Sequence, residues 1–185
     1  MDTYELTLGP LHRQLPKIAL NPELTIASFV LLGDTELTDY AADALAKKLA
    51  DQPFDYLVTI ESKGIPLAQA LSSRLNQARF IVLRKSVKDY MVDPISVPVH
   101  AITTSADQRL VLDGTDAKLL ANKRVALVDD VISTGGSLAA ATQLLDQAHA
   151  QVVAQAAILA EGDAAKREDI TFLAPLPLFS TTAAS

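Results

Sequence analysis

Two adjacent carboxylates, Asp129 and Asp130, end the apolar run Val125-Ala126-Leu127-Val128, and the chain continues Val131-Ile132-Ser133-Thr134-Gly135-Gly136-Ser137-Leu138. Paired glycines let successive backbone N–H groups converge on one point. Thr134 and Ser137 add hydroxyls, and a helix that starts here presents its positive end, so the turn reads as a phosphate cradle. Carboxylates a few residues earlier would repel a phosphate in contact with them. They suit a neutral, hydroxyl-rich group or a metal, and a ribose carrying a 5-phosphate satisfies both halves of the segment. The plain structural alternative is a strand-turn-helix whose glycines serve only the turn and whose aspartates cap the helix.

These residues need elements that place them, and the pattern supplies strands alternating with helices, the mark of a parallel sheet with crossover helices. Strand-like runs cover Ile26 to Leu32, Asp55 to Ile60, Phe80 to Leu83, Val125 to Val128, Val152 to Leu159 and Ile170 to Leu173. Apolar residues from Leu37 to Leu49 repeat at three and four, as in a helix with one buried face, and Asp34, Thr35 or Thr38 is placed to cap it. Further helices are expected after Pro66 to about Asn76 and from Ser137 to Ala148. Arg84 to Pro98 is polar, holds Pro94 and Pro98, and reads as a long loop of the kind that serves as a lid. Val99 to Thr103 and Arg109 to Leu112 read as a hairpin. In open sheets of this kind ligands sit at the carboxyl ends of strands, where Asp129 to Ser137 falls.

Composition narrows the partners. The 185 residues (19.7 kDa) suffice for one domain with a sizeable core, and the absence of cysteine excludes disulfides, thiolate metal sites and a cysteine nucleophile. Lys and Arg total 16 against 22 Asp and Glu, a net charge of −6, which argues against general binding to nucleic acid or anionic membrane. No apolar run approaches the about 20 residues of a membrane span, and Met1-Asp2-Thr3-Tyr4-Glu5 is not a secretory start, so a soluble cytoplasmic protein is expected. His12, His100 and His149 lack metal-ligand spacing. Neither a Walker A loop, a G-x-G-x-x-G nor a G-x-S-x-G turn occurs.

The segment Val125 to Ser137 resembles the PRPP-binding motif of type I phosphoribosyltransferases: four apolar residues, two acidic, two apolar, then a Thr-Gly turn. The resemblance runs from about Asp34 to Phe179 and is nearest to the adenine and xanthine (purine) branch. It implies an α/β fold with a central parallel sheet flanked by helices, one domain over 1–185, and a small hood over the base from 1–33 and 170–185. Asp129 and Asp130 would hold the ribose hydroxyls, and Ser133, Thr134, Gly135, Gly136 and Ser137 the 5-phosphate. Ser62, Lys63 and Gly64 resemble the family's pyrophosphate loop, and Arg84, Lys85 and Lys88 resemble the start of its flexible catalytic loop. Three cations within five residues are what a pyrophosphate site in an acidic protein needs.

The activity so implied is transfer of the 5-phosphoribosyl group from PRPP to a purine base, releasing pyrophosphate, with Lys85 and Asp130 catalytic. Mg²⁺ would act as cofactor, held through PRPP and water without direct protein ligands. A homodimer is expected. Several relatives carry an acidic residue, able to act on a base nitrogen, where this chain has Ser133, so no general base is assigned. Near Glu161-Gly162-Asp163, where xanthine-type relatives have a stacking aromatic, there is none. The alternative is a noncatalytic PRPP-sensing regulator on the same fold, disfavoured because the N-terminal thirty residues carry no basic DNA-binding helix.

Overall fold

The computed structural model describes residues 2–99 and 108–180. The chain opens with a hairpin in which β1 (Thr3–Leu8) pairs antiparallel with β2 (Leu11–Ala19), and Leu8 sits opposite Leu11. Gly9 turns the corner at φ +58, where a side chain would meet the Tyr40 ring. β3 (Leu24–Ala27) adds antiparallel to β2. The helix α1 (Thr35–Leu49) follows, capped by the Asp34 carboxylate, which accepts from the Leu37 N–H. Arg13 of β2 donates to Asp34 at 2.6 Å and to Glu36 at 2.8 Å, tying the hairpin to the start of α1.

The central layer then builds up as β4 (Tyr56–Ile60), α2 (Gly64–Arg74), β5 (Phe80–Leu83), an antiparallel ribbon of β6 (Ile95–Pro98) and β7 (Arg109–Leu112), α3 (Gly114–Leu120), β8 (Arg124–Ile132), α4 (Gly136–Gln147) and β9 (Gln151–Glu161). After a 3-10 turn at Gly162–Lys166, β10 (Thr171–Leu176) completes a parallel five-stranded sheet in the order β10-β9-β8-β4-β5. β11 (Leu178–Ser180) returns to pair antiparallel with β3, giving a small sheet of order β1-β2-β3-β11. Because successive strand residues point to opposite faces, Leu57, Ala126, Val128 and Ile158 pack under α1 and α2. Val58, Val125, Leu127 and Ala157 pack under α4. Most of these are completely buried, and a large aliphatic side chain contributes about 1.5–3 kcal/mol on burial, so both faces hold the sheet rigid.

The expected class, a parallel sheet flanked by helices, is the architecture found. Several boundaries differ. The run Ile26 to Leu32 is not a core strand: its first two residues end β3 in the small sheet, and β1 and β2 precede it. Glu5 and Gln14 on the outer face of that hairpin, and Arg13 and Lys17 set among the apolar residues of its inner face, dilute its apolar signal. Within the expected long loop 84–98 the chain forms β6, and β6 rather than Val99 to Thr103 is the partner of β7, with Ile95 opposite Leu112. His100 and the rest of the expected hairpin between 100 and 107 lie outside the described residues. Of the segment 170–185, β10 belongs to the central sheet because its amides pair with β9, whereas β11 joins the small one.

Candidate active site

The parallel register brings the carboxyl ends of β4, β8 and β9 to one edge, with Thr59 opposite Val128 and Ile132 opposite Ala160. Beyond those ends lie Glu61-Ser62-Lys63, the turn from Ser133, and Glu161. Together with Lys85, Asp129 and Asp130 they line a cavity of about 380 Å³, closed on another side by Ile26 to Val30 and Leu176. A smaller adjoining cavity of about 120 Å³ is lined by Asp129 and the stretch Val131 to Leu138. The Asp pair and the Gly-Gly turn therefore face connected space.

Asp130 is 4% exposed, and its Oδ2 has no hydrogen-bond partner. Lys63 Nζ, 3.8 Å away, is its nearest countercharge, too far to hydrogen-bond. A buried carboxylate oxygen left this way is unfavourable by itself and is satisfied by a donor brought into the cavity. Asp129 Oδ1 accepts the Asp130 N–H at 2.9 Å. Burial first, and then the charge of Asp130, push the Asp129 carboxyl up to about 8.

Gly135 holds φ +83 and serves as the cap residue of α4, and no side chain caps the N–H groups behind it. Thr134 and Ser137 are exposed at the same turn. The first amides of α4 thus remain open to an anion. Gly64 stands at the start of α2. It does not line the cavity; a side chain there would strike Thr59 Oγ1 and approach Asp129 Oδ1, so this glycine lets α2 begin directly beneath the Asp pair.

Ser62, Lys63 and Lys85 reach the cavity, but Arg84 and Lys88 do not line it. The Arg84 guanidinium donates to Glu61 Oε2 at 2.9 Å, and the Lys85 N–H donates to the same oxygen at 2.9 Å. Burial alone would raise the Glu61 pKa; these two contacts and the nearby Lys88 charge outweigh it and hold the group below its usual range. Lys88 donates to Ser86 Oγ. Glu61 consequently acts as a pin that fixes the start of the following segment and aims Lys85 inward.

Ser133 and Glu161 are the next pair beyond Ile132 and Ala160, and the Ser133 hydroxyl donates to Glu161 Oε2 at 2.7 Å. Sequence reasoning inspects Glu161 only for a missing aromatic neighbour. The signal that singles it out is its place as the acidic last residue of an apolar strand, the same position that draws attention to Asp129.

A parallel sheet with an acidic cavity and a Gly-Gly helix start at its carboxyl edge defines an α/β protein with its candidate site at the strand ends, and the chain belongs to the phosphoribosyl transferase domain family, whose model matches residues 33–174. It is 36% identical over 122 residues to the hypoxanthine/guanine phosphoribosyltransferase of Methanococcus voltae, covering 65% of this chain and 61% of that one. It is 28% identical over 168 residues to the adenine phosphoribosyltransferase of Trichodesmium erythraeum, covering 89% and 94%. The adenine phosphoribosyltransferase of Thermoanaerobacter pseudethanolicus shares the fold, with a TM-score of 0.67 at 20% identity over 94% of this chain and 95% of that one. The chain spans about three fifths of the length of the hypoxanthine/guanine relatives it matches.

Proposed function

We propose that the protein transfers the 5-phosphoribosyl group of PRPP to a purine base, releasing pyrophosphate and forming a nucleoside monophosphate. The observation that carries this reading is the buried, unpartnered Asp130 oxygen beside a Gly-Gly helix start in connected cavities, the two recognition elements a phosphorylated ribose requires. Asp130, with Asp129, accepts ribose hydroxyls. The turn from Ser133 to Ser137 takes the 5-phosphate on its amides and hydroxyls. Lys63, Ser62 and Lys85 face the pyrophosphate, and Lys85 stabilises the charge that grows on it as the C1′–O bond breaks. Arg84, Lys88 and Gly64 support that group from outside the cavity.

Glu61, Asp130 and Glu161 outnumber Lys63 and Lys85 in the cavity, which suits a divalent cation arriving with PRPP. In this reading Mg²⁺ would be held through PRPP oxygens and water. When bound it would neutralise pyrophosphate charge. The apolar stretch Ile26 to Val30 and Leu176 form the wall against which a flat heterocycle would stack, the role expected of a hood. The same reading includes a homodimer and a cytoplasmic setting, which the cysteine-free composition suits.

Pyrophosphate release measured with PRPP, Mg²⁺ and each of adenine, hypoxanthine, guanine and xanthine tests the reading. Turnover with at least one of them is expected. Turnover with orotate or uracil and with none of the purines would overturn it.

A further inference from the structure

Transfer to a purine nitrogen also frees a proton. The nitrogen's lone pair forms the bond to C1′, the C1′–O bond to pyrophosphate breaks with its electrons leaving on pyrophosphate, and a neutral base must lose one N–H proton. Four side-chain carboxyl groups line the cavity: Glu61, Asp129, Asp130 and Glu161. Glu61 is engaged by Arg84 and by the Lys85 N–H, both at 2.9 Å. Asp129 accepts the Asp130 amide, and Asp130 is buried beside Lys63. These three stand at the ribose and pyrophosphate positions. Glu161 differs, since its hydrogen-bond partner among the described residues is the Ser133 hydroxyl, and both side chains line the cavity beside the wall formed by Leu176.

Resting on the function proposed above, we infer that Glu161, oriented by Ser133, accepts the proton that the purine loses as the glycosidic bond forms. Ser133 is a positioning residue: its hydroxyl fixes one carboxylate oxygen. The carboxylate reaches the site from β9, one strand away from the β8 motif that binds ribose and phosphate. Glu61, Asp129, Asp130, Lys63 and Lys85 are the other charged groups of the cavity, and Leu176 is the neighbour contributed by β10.

The full-length protein, assayed with PRPP, Mg²⁺ and its best purine, decides the point. Glu161→Gln keeps the shape and still accepts from Ser133, so kcat should fall about 100-fold or more while the PRPP KM stays within about threefold. The acid limb of the wild-type kcat–pH profile should disappear with it. Glu161→Asp should restore at least about tenfold over Glu161→Gln, and Ser133→Ala should lose roughly three- to thirtyfold. A Glu161→Gln protein within about threefold of wild type between about pH 6 and 9 overturns the inference. So does a loss confined to the PRPP KM with the pH profile unmoved, the behaviour of a purely structural tie. If Glu161→Gln does not fold, an unshifted acid limb in Glu161→Asp and Ser133→Ala overturns it equally. A wild type that binds PRPP in calorimetry yet transfers to no purine overturns the proposed function itself, and the inference with it.

Discussion

Lys63 Nζ lies 3.8 Å from Asp130 Oδ2, a half-exposed cation facing a buried anion across the ends of two neighbouring parallel strands. The pair is an attraction without a hydrogen bond, so the carboxylate keeps an unfilled acceptor. Binding sites often hold such groups at the expense of stability. Replacing the acid should therefore separate function from folding. Asp130→Asn should weaken PRPP binding at least tenfold, about 1.4 kcal/mol, with a melting temperature equal to or above wild type. Calorimetry and thermal unfolding on the same sample check it. Lys63→Ala should do the reverse for stability, lowering the melting temperature by stranding the buried charge.

Asp129 makes stability depend on pH. Its folded pKa, pushed up to about 8, lies above the ordinary carboxyl value of about 4, so between these limits the folded state binds more protons than the unfolded one. Stability from this group is present at low pH and is lost as pH rises through the window. Urea unfolding at pH 5 and pH 8 should show wild type weaker at the higher pH through this group. Asp129→Asn should flatten that slope. An unchanged slope in the variant would remove Asp129 as its cause.

Gly64 and Gly135 should fail in different ways. At Gly64 a methyl group meets Thr59 Oγ1, whose hydroxyl donates to Val128 O at 2.8 Å. Gly64→Ala should lower unfolding free energy by about 1–3 kcal/mol through overpacking. At Gly135 the obstacle is φ +83, which strains a branched residue by about 1–2 kcal/mol. Gly135→Val should also abolish phosphate approach, so PRPP affinity should fall by more than the stability change accounts for. Denaturant unfolding alongside calorimetry distinguishes the two.

The segment after Arg84 is anchored at both ends, with exposed residues and a Met91 N–H to Lys88 O bond between. Arg84 and Val111 exchange two backbone hydrogen bonds, 2.8 and 2.7 Å, and Gly114 N–H holds Val92 O at 2.9 Å. Amides of Arg84 and Val111 should exchange slowly, whereas those of Ser86, Val87, Asp89 and Tyr90 should exchange fast and slow down with PRPP and base bound. Lys85→Ala should reduce turnover at least about tenfold at unchanged stability, because Lys85 faces the cavity. Uniformly slow exchange across 84–96 in the free protein would contradict a lid.

The chemistry of Asp129 to Ser137 is legible in the sequence because it is local. Carboxylates, glycines and hydroxyls that together suit one sugar phosphate follow one another within nine residues, and strand and helix periodicities on either side announce the turn between them. The apolar runs of β4, β5 and β9 are legible for the same reason, since a strand buried on both faces needs no distant partner to look like one. The hairpin of β1 and β2 is not, because its half-exposed strands mix charged with apolar residues. Nor does sequence separate Lys85, which enters the cavity, from Arg84, which Glu61 withdraws from it: adjacent side chains leave the backbone in different directions, and only the packed neighbour 23 residues earlier decides which cation remains available. Ser133 and Glu161 show the limit most plainly. They stand 28 residues apart with a helix between them, and they meet because β8 and β9 are parallel neighbours whose register sets Ile132 beside Ala160. Residue types made a site suited to a phosphorylated ribose readable; that Glu161 joins Ser133 in the same cavity was decided by strand order and register, which are properties of nonlocal hydrogen bonding and burial.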